Sequence, residues 1–237
     1  MNKVIKFFVL VFMQFLLSVS LYAQKDVTQF LGIPVDGSKP EMIKKLKEKG
    51  FVSSTSDKDV LVGEFNGEEV NIYIVTDNNK IWRIMVCDIS SRDEQQIRIR
   101  FNKLIQQFQN NKSYVDLPES IISKYIISEN EKISYEMTVH NKQYTASFYQ
   151  KTKELYSIDI EQDNLDKLEL LNDTIDLEQR MLLFHKRASL ISMRISEIGN
   201  DEYLNKNVWF RIGRDSRGFF IAMYYDNEYN RAKGEDL

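Results

Sequence analysis

A single cysteine, Cys87, in 237 residues excludes an internal disulfide. Histidine is nearly as scarce, with His140 and His185 far apart in the chain. A structural zinc site needs closely spaced Cys or His ligands, and these three residues do not supply them. Serine and cysteine nucleophiles need an adjacent base, and no G-x-S-x-G elbow is present. No D-x-[DN]-x-[DN]-G calcium loop occurs either, so Asp57 and Asp59 read as turn residues. The three prolines and nine glycines build no linker rich in either. With a formal net charge of −3, the chain lacks the basic excess that a general nucleic-acid binder uses to neutralise phosphates. No cofactor and no metal are expected.

What is present begins with the one long apolar run, in MNKVIKFFVLVFMQFLLSVSLYAQ. Lys3 and Lys6 precede the apolar stretch Phe7 to Leu17, and small residues lead to Ala23. This is the pattern of a secretory signal peptide over residues 1–23. The run contains Gln14 and falls short of the roughly 20 apolar residues of a spanning helix, so no membrane span is expected after cleavage. Gln24 follows the proposed cut in place of a lipid-anchoring cysteine. The mature chain is expected in the periplasm or outside the cell, and losing two lysines makes it more acidic still.

In FLGIPVDGSKPEMIKKLKEKGF, glycines near lysines raise the question of a phosphate loop. The spacing of Gly32, Gly37 and Lys39 does not fit G-x-x-x-x-G-K-[ST]. Ser38 and Glu41 instead form an S-x-x-E capping box, and Pro40 suits a first helical turn. Met42, Ile43 and Leu46 share one helical face, Gly50 is a left-handed terminator, and Phe51 is placed to pack back on Leu46.

Val60 to Phe65 and Glu68 to Val75 flank Asn66-Gly67, the dipeptide best suited to a type I′ hairpin. A third strand, Ile81 to Cys87, is apolar on both faces except at Arg83, as expected of a central strand. Ser91 and Glu94 read as a second capping box, ahead of a helix whose stripe is Ile97, Phe101, Leu104, Ile105 and Phe108. Shifting the chain by 74 positions lays Trp82, Ile84 and Val86 over Tyr156, Ile158 and Ile160, and Asn66-Gly67 over His140-Asn141. A second three-stranded meander is therefore expected across Tyr135 to Ile160.

From Leu177, apolar residues recur through Met181, Phe184, Ala188, Ile191, Ile195 and Ile198 in heptad steps, predicting a long helix that ends before Gly199. Leu182, Leu183, Leu190 and Met193 widen its stripe, which favours burial against a sheet; a homodimer through Leu177 to Ile198 is the alternative. Asn207 to Ile212 and Phe219 to Tyr225 predict a closing hairpin. The fold class is α+β: two tandem units of a helix and a three-stranded antiparallel meander, each followed by a covering helix, with a C-terminal hairpin. The division is 24–112 for the first unit and 113–237 for the second.

Candidate sites are few. Cys87, ending an apolar strand, reads as a buried and inert thiol. His140 reads as a solvated turn residue and His185 as an edge of the long helix. Arg211, Arg214 and Arg217 concentrate positive charge around the last hairpin and suit a carboxylate or phosphate. Tyr73 and Tyr149 occupy nearly equivalent places on strands whose other faces are core, and tyrosines on a polar sheet face suit contact with a protein or a glycan.

Asp173-Thr174-Ile175 resembles the D-[ST]-aliphatic motif at which Bacteroidetes attach O-linked glycan to exported proteins, which would place a glycan on Thr174. The order of elements from Ser38 to Ile160 resembles the tandem fold of β-lactamase inhibitor protein and the small OmlA-type assembly lipoproteins, without the lipidated cysteine of the latter. The whole chain, including the LYAQ end of its leader, resembles uncharacterised exported proteins of Bacteroidetes; these resemblances carry no site residues over. They leave two readings: a non-enzymatic exported binding module for a protein or glycan, and a hydrolase whose carboxylates are scattered in sequence.

Overall fold

The computed structural model describes residues 25–170, 177–199 and 202–231. The signal-peptide segment and Thr174 lie outside the described residues. The chain is a mixed α+β protein built on a seven-stranded antiparallel sheet of order β3-β4-β5-β6-β9-β8-β7. Its strands are β3 (Val52–Ser53), β4 (Val60–Phe65), β5 (Glu68–Asp77), β6 (Lys80–Asp88), β7 (Thr145–Tyr149), β8 (Asn207–Asp215) and β9 (Gly218–Asp226). A small hairpin, β1 (Gln29–Phe30) and β2 (Ile33–Pro34), precedes them.

Helix α1 (Lys39–Glu48) forms as its caps dictate. The Ser38 amide donates to Glu41 Oε2 at 3.5 Å, Gly50 takes φ 101°, and the Phe51 amide closes on the Leu46 carbonyl at 3.2 Å. Met42 and Leu46 enter the core and the lysines face water. Helix α2 (Glu94–Gln109) buries the whole predicted stripe, Ile97, Phe101, Leu104, Ile105 and Phe108. Its cap differs from expectation. Asp93 accepts from the Gln96 amide at 2.7 Å, while the Ser91 hydroxyl donates to Asp215. A carboxylate is the better partner for the positive end of a helix, so the start falls two residues later than the capping-box pattern implied.

The period-74 repeat does not survive as a second copy of the first meander. Ile133–Val139 is helix α4, following the short α3 (Glu119–Tyr125), and Lys153–Leu170 is helix α5. Only Thr145–Tyr149 of the expected second meander is a strand. His140 caps α4 and binds Glu136 through Nδ1 at 2.8 Å, so it stands at a helix end and not in a hairpin turn. Trp82 lies on the sheet and Tyr156 on α5. Within α5 the buried residues are Leu155, Ile158 and Leu165, at helical steps of three and seven, while Tyr156 and Ile160 are exposed, so the period here is that of a helix and not of a strand. A second meander does exist: β7, β8 and β9 are neighbours, with two helices inserted between β7 and β8. The two meanders meet where β6 pairs with β9, in register from Arg83↔Asp226 to Cys87↔Ala222. One core runs across both halves of the chain, from Leu46 and Ile72 to Phe101, Phe148 and Phe210.

The long helix α6 (Leu177–Gly199) is where the heptads place it, but it does not cover the sheet. It pairs with α5 as a helical hairpin around Ile158, Leu165 and Leu190. Arg187 reaches Asp166 at 2.6 Å and Arg194 reaches Asp159 at 2.9 Å across the pair. Met181, Leu182 and Met193 are each more than half exposed. The core face is already covered by α1 on β5, by α2 on β8 and β9, and by residues of α3 and α4 such as Ile122 and Ile133.

An ion cluster ties α2 to the strands. Arg100 holds Asp88 through two bonds of 2.6 and 2.7 Å and reaches Glu68 at 3.2 Å; Arg92 bridges the same two acids.

Candidate functional site

Strand registers define two faces. Leu61, Ile72, Val86, Met223, Phe210 and Ala146 follow one another across the strands on the core side. One residue along, a second row faces away: Val60, Tyr73, Met85, Tyr224, Trp209 and Ser147. Beside it runs Val62, Asn71, Cys87, Ala222, Arg211 and Thr145. Neither α1 nor α2 lies on this side, and it contributes no member to the main core.

The centre of the open face is a preorganised aromatic cluster. Trp209 and Tyr224, directly paired across β8 and β9, stack at 3.9 Å between centroids and 13° between planes. The Arg83 guanidinium lies 4.2 Å from the Trp82 ring centre, 5.3 Å from Trp209 and 5.0 Å from Tyr224. Asp226, almost fully buried, holds it with bonds of 2.6 and 2.7 Å and accepts from Trp209 Nε1 at 2.8 Å. Such a bidentate pair fixes orientation as well as position.

Trp82 reaches this cluster through a bulge. Between the pairs Val75↔Arg83 and Thr76↔Ile81 it is the extra residue of β6. A bulge re-aims a side chain, here setting Trp82 and Arg83 together against the Trp209–Tyr224 stack. Tyr149, on β7, extends the aromatic band by an edge contact with Tyr203 at 5.7 Å.

Tyr73 and Tyr149 thus share the open face, both half-buried. Burial is the first cause that raises the Tyr73 hydroxyl above its ordinary range, followed by Cys87 and Asp57; for Tyr149 it is burial, then Tyr125 and Tyr203. Both phenols stay neutral donors at physiological pH. The three arginines do not converge. Arg211 stands on the open face, exposed and without a hydrogen-bond or ion-pair partner among the described residues. Arg214 turns the other way, donating to Thr138 at 3.0 Å and lying over Phe219. Arg217 pairs with Asp215 at 3.0 Å in the turn. Period-two alternation separates Arg211 from Arg214, so closeness in sequence did not make a cluster.

Cys87 lies in the second open row, and its thiol is pushed up to about 11 by burial first and Asp88 second, against the pull of Arg211. His185 is exposed, with Nδ1 2.7 Å from the Met181 carbonyl. Among the described residues no group of three or more His, Cys, Asp or Glu is placed to hold a metal ion. No helix among them is long and apolar enough to cross a membrane.

Trp82, Arg83, Trp209, Tyr224 and Asp226 were not singled out from sequence. The alternation of Val208, Phe210 and Ile212 with Trp209 and Arg211 was a usable signal for part of the face. The bulge and the β6–β9 pairing, which bring the five together, leave no local trace. A scan of family models and searches of the curated proteins and the solved structures find no match to this chain.

Proposed function

We propose that the chain is an exported, non-enzymatic binding module, and that it recognises a protein surface with the open face of its sheet. The observation that carries this is the Trp209–Tyr224 stack locked by Arg83 and Asp226 on a face that the covering helices leave bare. Aromatic residues and arginine are enriched in interface centres, and a rigid surface loses little entropy on docking. The row from Val60 to Ser147 spans six strands, roughly 24 Å at about 4.8 Å per strand, a width suited to a folded partner. Arg211 adds a cation with no ion-pair partner among the described residues, and Asn71, Ser147 and Thr145 a polar margin.

The most buried carboxylates support the same reading over a hydrolase. Asp226 and Asp88 are both engaged by arginines as structural partners.

Site-specific photocrosslinking tests the proposal. A benzophenone amino acid replaces Tyr73, Tyr149 or, as a control on the far side, Lys44 of α1, in cells of the native host. Adducts of defined mass at the two tyrosine positions and none at Lys44 are expected. Adducts only at Lys44, or at none of the three, would reject the sheet face as the contact.

A further inference from the structure

The β1–β2 hairpin turns through Leu31 and Gly32, at φ 52° and 77°. Glycine adopts this left-handed region freely, whereas a bulky leucine does so at a cost. Leu31 sits at a junction: with Asn111, Tyr114 and Tyr225 it lines two crevices. The first, about 420 Å³, opens between α2 and the β4–β5 turn, with Phe65, Leu104, Phe108 and Met223 as its apolar walls. Asn66 and Gln107 exchange amide hydrogen bonds of 2.9 and 3.4 Å at its rim. The second, about 470 Å³, is lined by Asp26 and by Lys151, Lys153 and Lys206 near the start of α5.

The charges of the second crevice do not cancel. Lys206 is bound to Asp26 and to the Lys151 carbonyl, each at 2.9 Å, and Lys151 pairs with Asp159 at 2.5 Å. Lys153 is exposed, and its ammonium makes no hydrogen bond or ion pair among the described residues. Its backbone amide donates to Asp26 at 2.9 Å, which places the residue at the positive end of an 18-residue helix. Where the crevices join, Leu31 meets Asn111, Tyr114 and Tyr225; Gln150 donates to the Tyr114 hydroxyl at 3.3 Å and the Tyr225 hydroxyl donates to Met223 Sδ at 3.3 Å.

We propose that the two crevices form one binding site for an amphiphile with an anionic head and an alkyl chain. The head group lies beside Lys153; the chain passes Leu31 and Tyr114 and ends against Phe108 and Met223. Charge complementarity selects the head, and burial of methylene groups supplies affinity along the walls. The site lies on the helix-covered side of the sheet, away from the aromatic face, so each stands or falls without the other.

Calorimetric titration of the purified full-length chain with decanoate and with decanol, both below their aggregation limits, provides the test. Decanoate is expected to bind about tenfold more tightly than decanol, as one added charge contact implies. Lys153→Glu is expected to remove that advantage while leaving decanol unchanged. Gln107→Trp, an exposed position at the rim, is expected to weaken both ligands. Should Lys153→Glu fail to fold, Lys153→Gln carries the same comparison with no added negative charge, and Gln107→Trp leaving both affinities unchanged would also count against the proposal. Equal affinity for the two ligands, indifference to either Lys153 change, or saturable binding of neither would overturn the proposal.

Discussion

Trp209 and Phe210 are adjacent in sequence yet belong to different environments. Phe210 is fully buried, stacked with Phe108 at 5.6 Å and edge-on to Phe101 at 5.0 Å. Trp209 is half-exposed and is held by a cross-strand ring, a guanidinium and a carboxylate. The whole sheet repeats this contrast. Its covered face is fixed by close packing under helices; its open face is fixed by stacking and charge-assisted hydrogen bonds. Order on the open side is therefore obtained without a covering helix among the described residues, with Tyr224 buried by its neighbours and Trp209 half-exposed.

The contrast breaks most visibly at the paired positions. Phe210→Ala is expected to cost about 3–5 kcal/mol, because the surrounding rings cannot collapse into the space. Trp209→Ala should cost roughly half as much, since water can enter on the open side. Chemical denaturation of the two variants measures both, and equal losses would mean the open face is packed like the core.

Asp226→Asn comes next. It keeps the size of the side chain but removes the charge that holds Arg83 and accepts from Trp209. A cost of about 2–3 kcal/mol is expected, less than for a fully buried pair because Arg83 keeps some solvent contact. Near-ultraviolet circular dichroism should report loosening of the two tryptophans in the same variant. An unchanged spectrum would separate the aromatic order from the ion pair.

How far this contrast was legible in the sequence depended on whether its cause was local. The α1 caps, the α2 stripe and the Asn66-Gly67 turn are set by neighbours a few residues away, and each appears where the pattern placed it. The placement of Tyr73 and Tyr149 away from the core followed from alternation alone. The 133–170 segment did not yield to the same reasoning, since Ile158 serves the α5–α6 hairpin and Tyr135 is exposed on α4. The stripe of α6 promised burial on the sheet; its covered residues, such as Leu190, face α5 instead. Long-range pairing of β6 with β9, between residues more than a hundred positions apart, decided the candidate site.

Two glycines sharpen the comparison at a finer scale. Gly63 faces the core, where an added methyl group would press on the ring of the buried Phe51. Gly213 sits on the other side against Phe220, a half-exposed ring. Gly63→Ala is expected to destabilise by about 1–3 kcal/mol through overpacking. Gly213→Ala should stay below about 1 kcal/mol, because Phe220 can turn toward solvent. Thermal melts of the two single variants test the order, and a larger effect at Gly213 would reverse the assignment of the rigid face.

The smallest effect concerns acidity on the open face. Burial raises the Cys87 thiol from 9.0 to about 11, so the folded chain keeps a proton that the unfolded chain releases first. The unfolded state then binds fewer protons between about pH 9 and 11, and stability must fall as pH rises through that window. By pH 10 the loss due to this group is about 1 kcal/mol, and below pH 9 it disappears. Other raised phenols, such as Tyr114 at about 12, add to the slope at higher pH, so the informative quantity is the difference between the parent chain and Cys87→Ser. That variant should show a shallower decline from pH 8.5 to 10, whatever its absolute stability. The same shift makes thiol labelling at pH 8 roughly a hundredfold slower in the folded than in the denatured chain. Equal labelling rates would show that the second open row, from Val62 to Thr145, is freely hydrated at its centre, and Arg211 would then govern the thiol in place of burial.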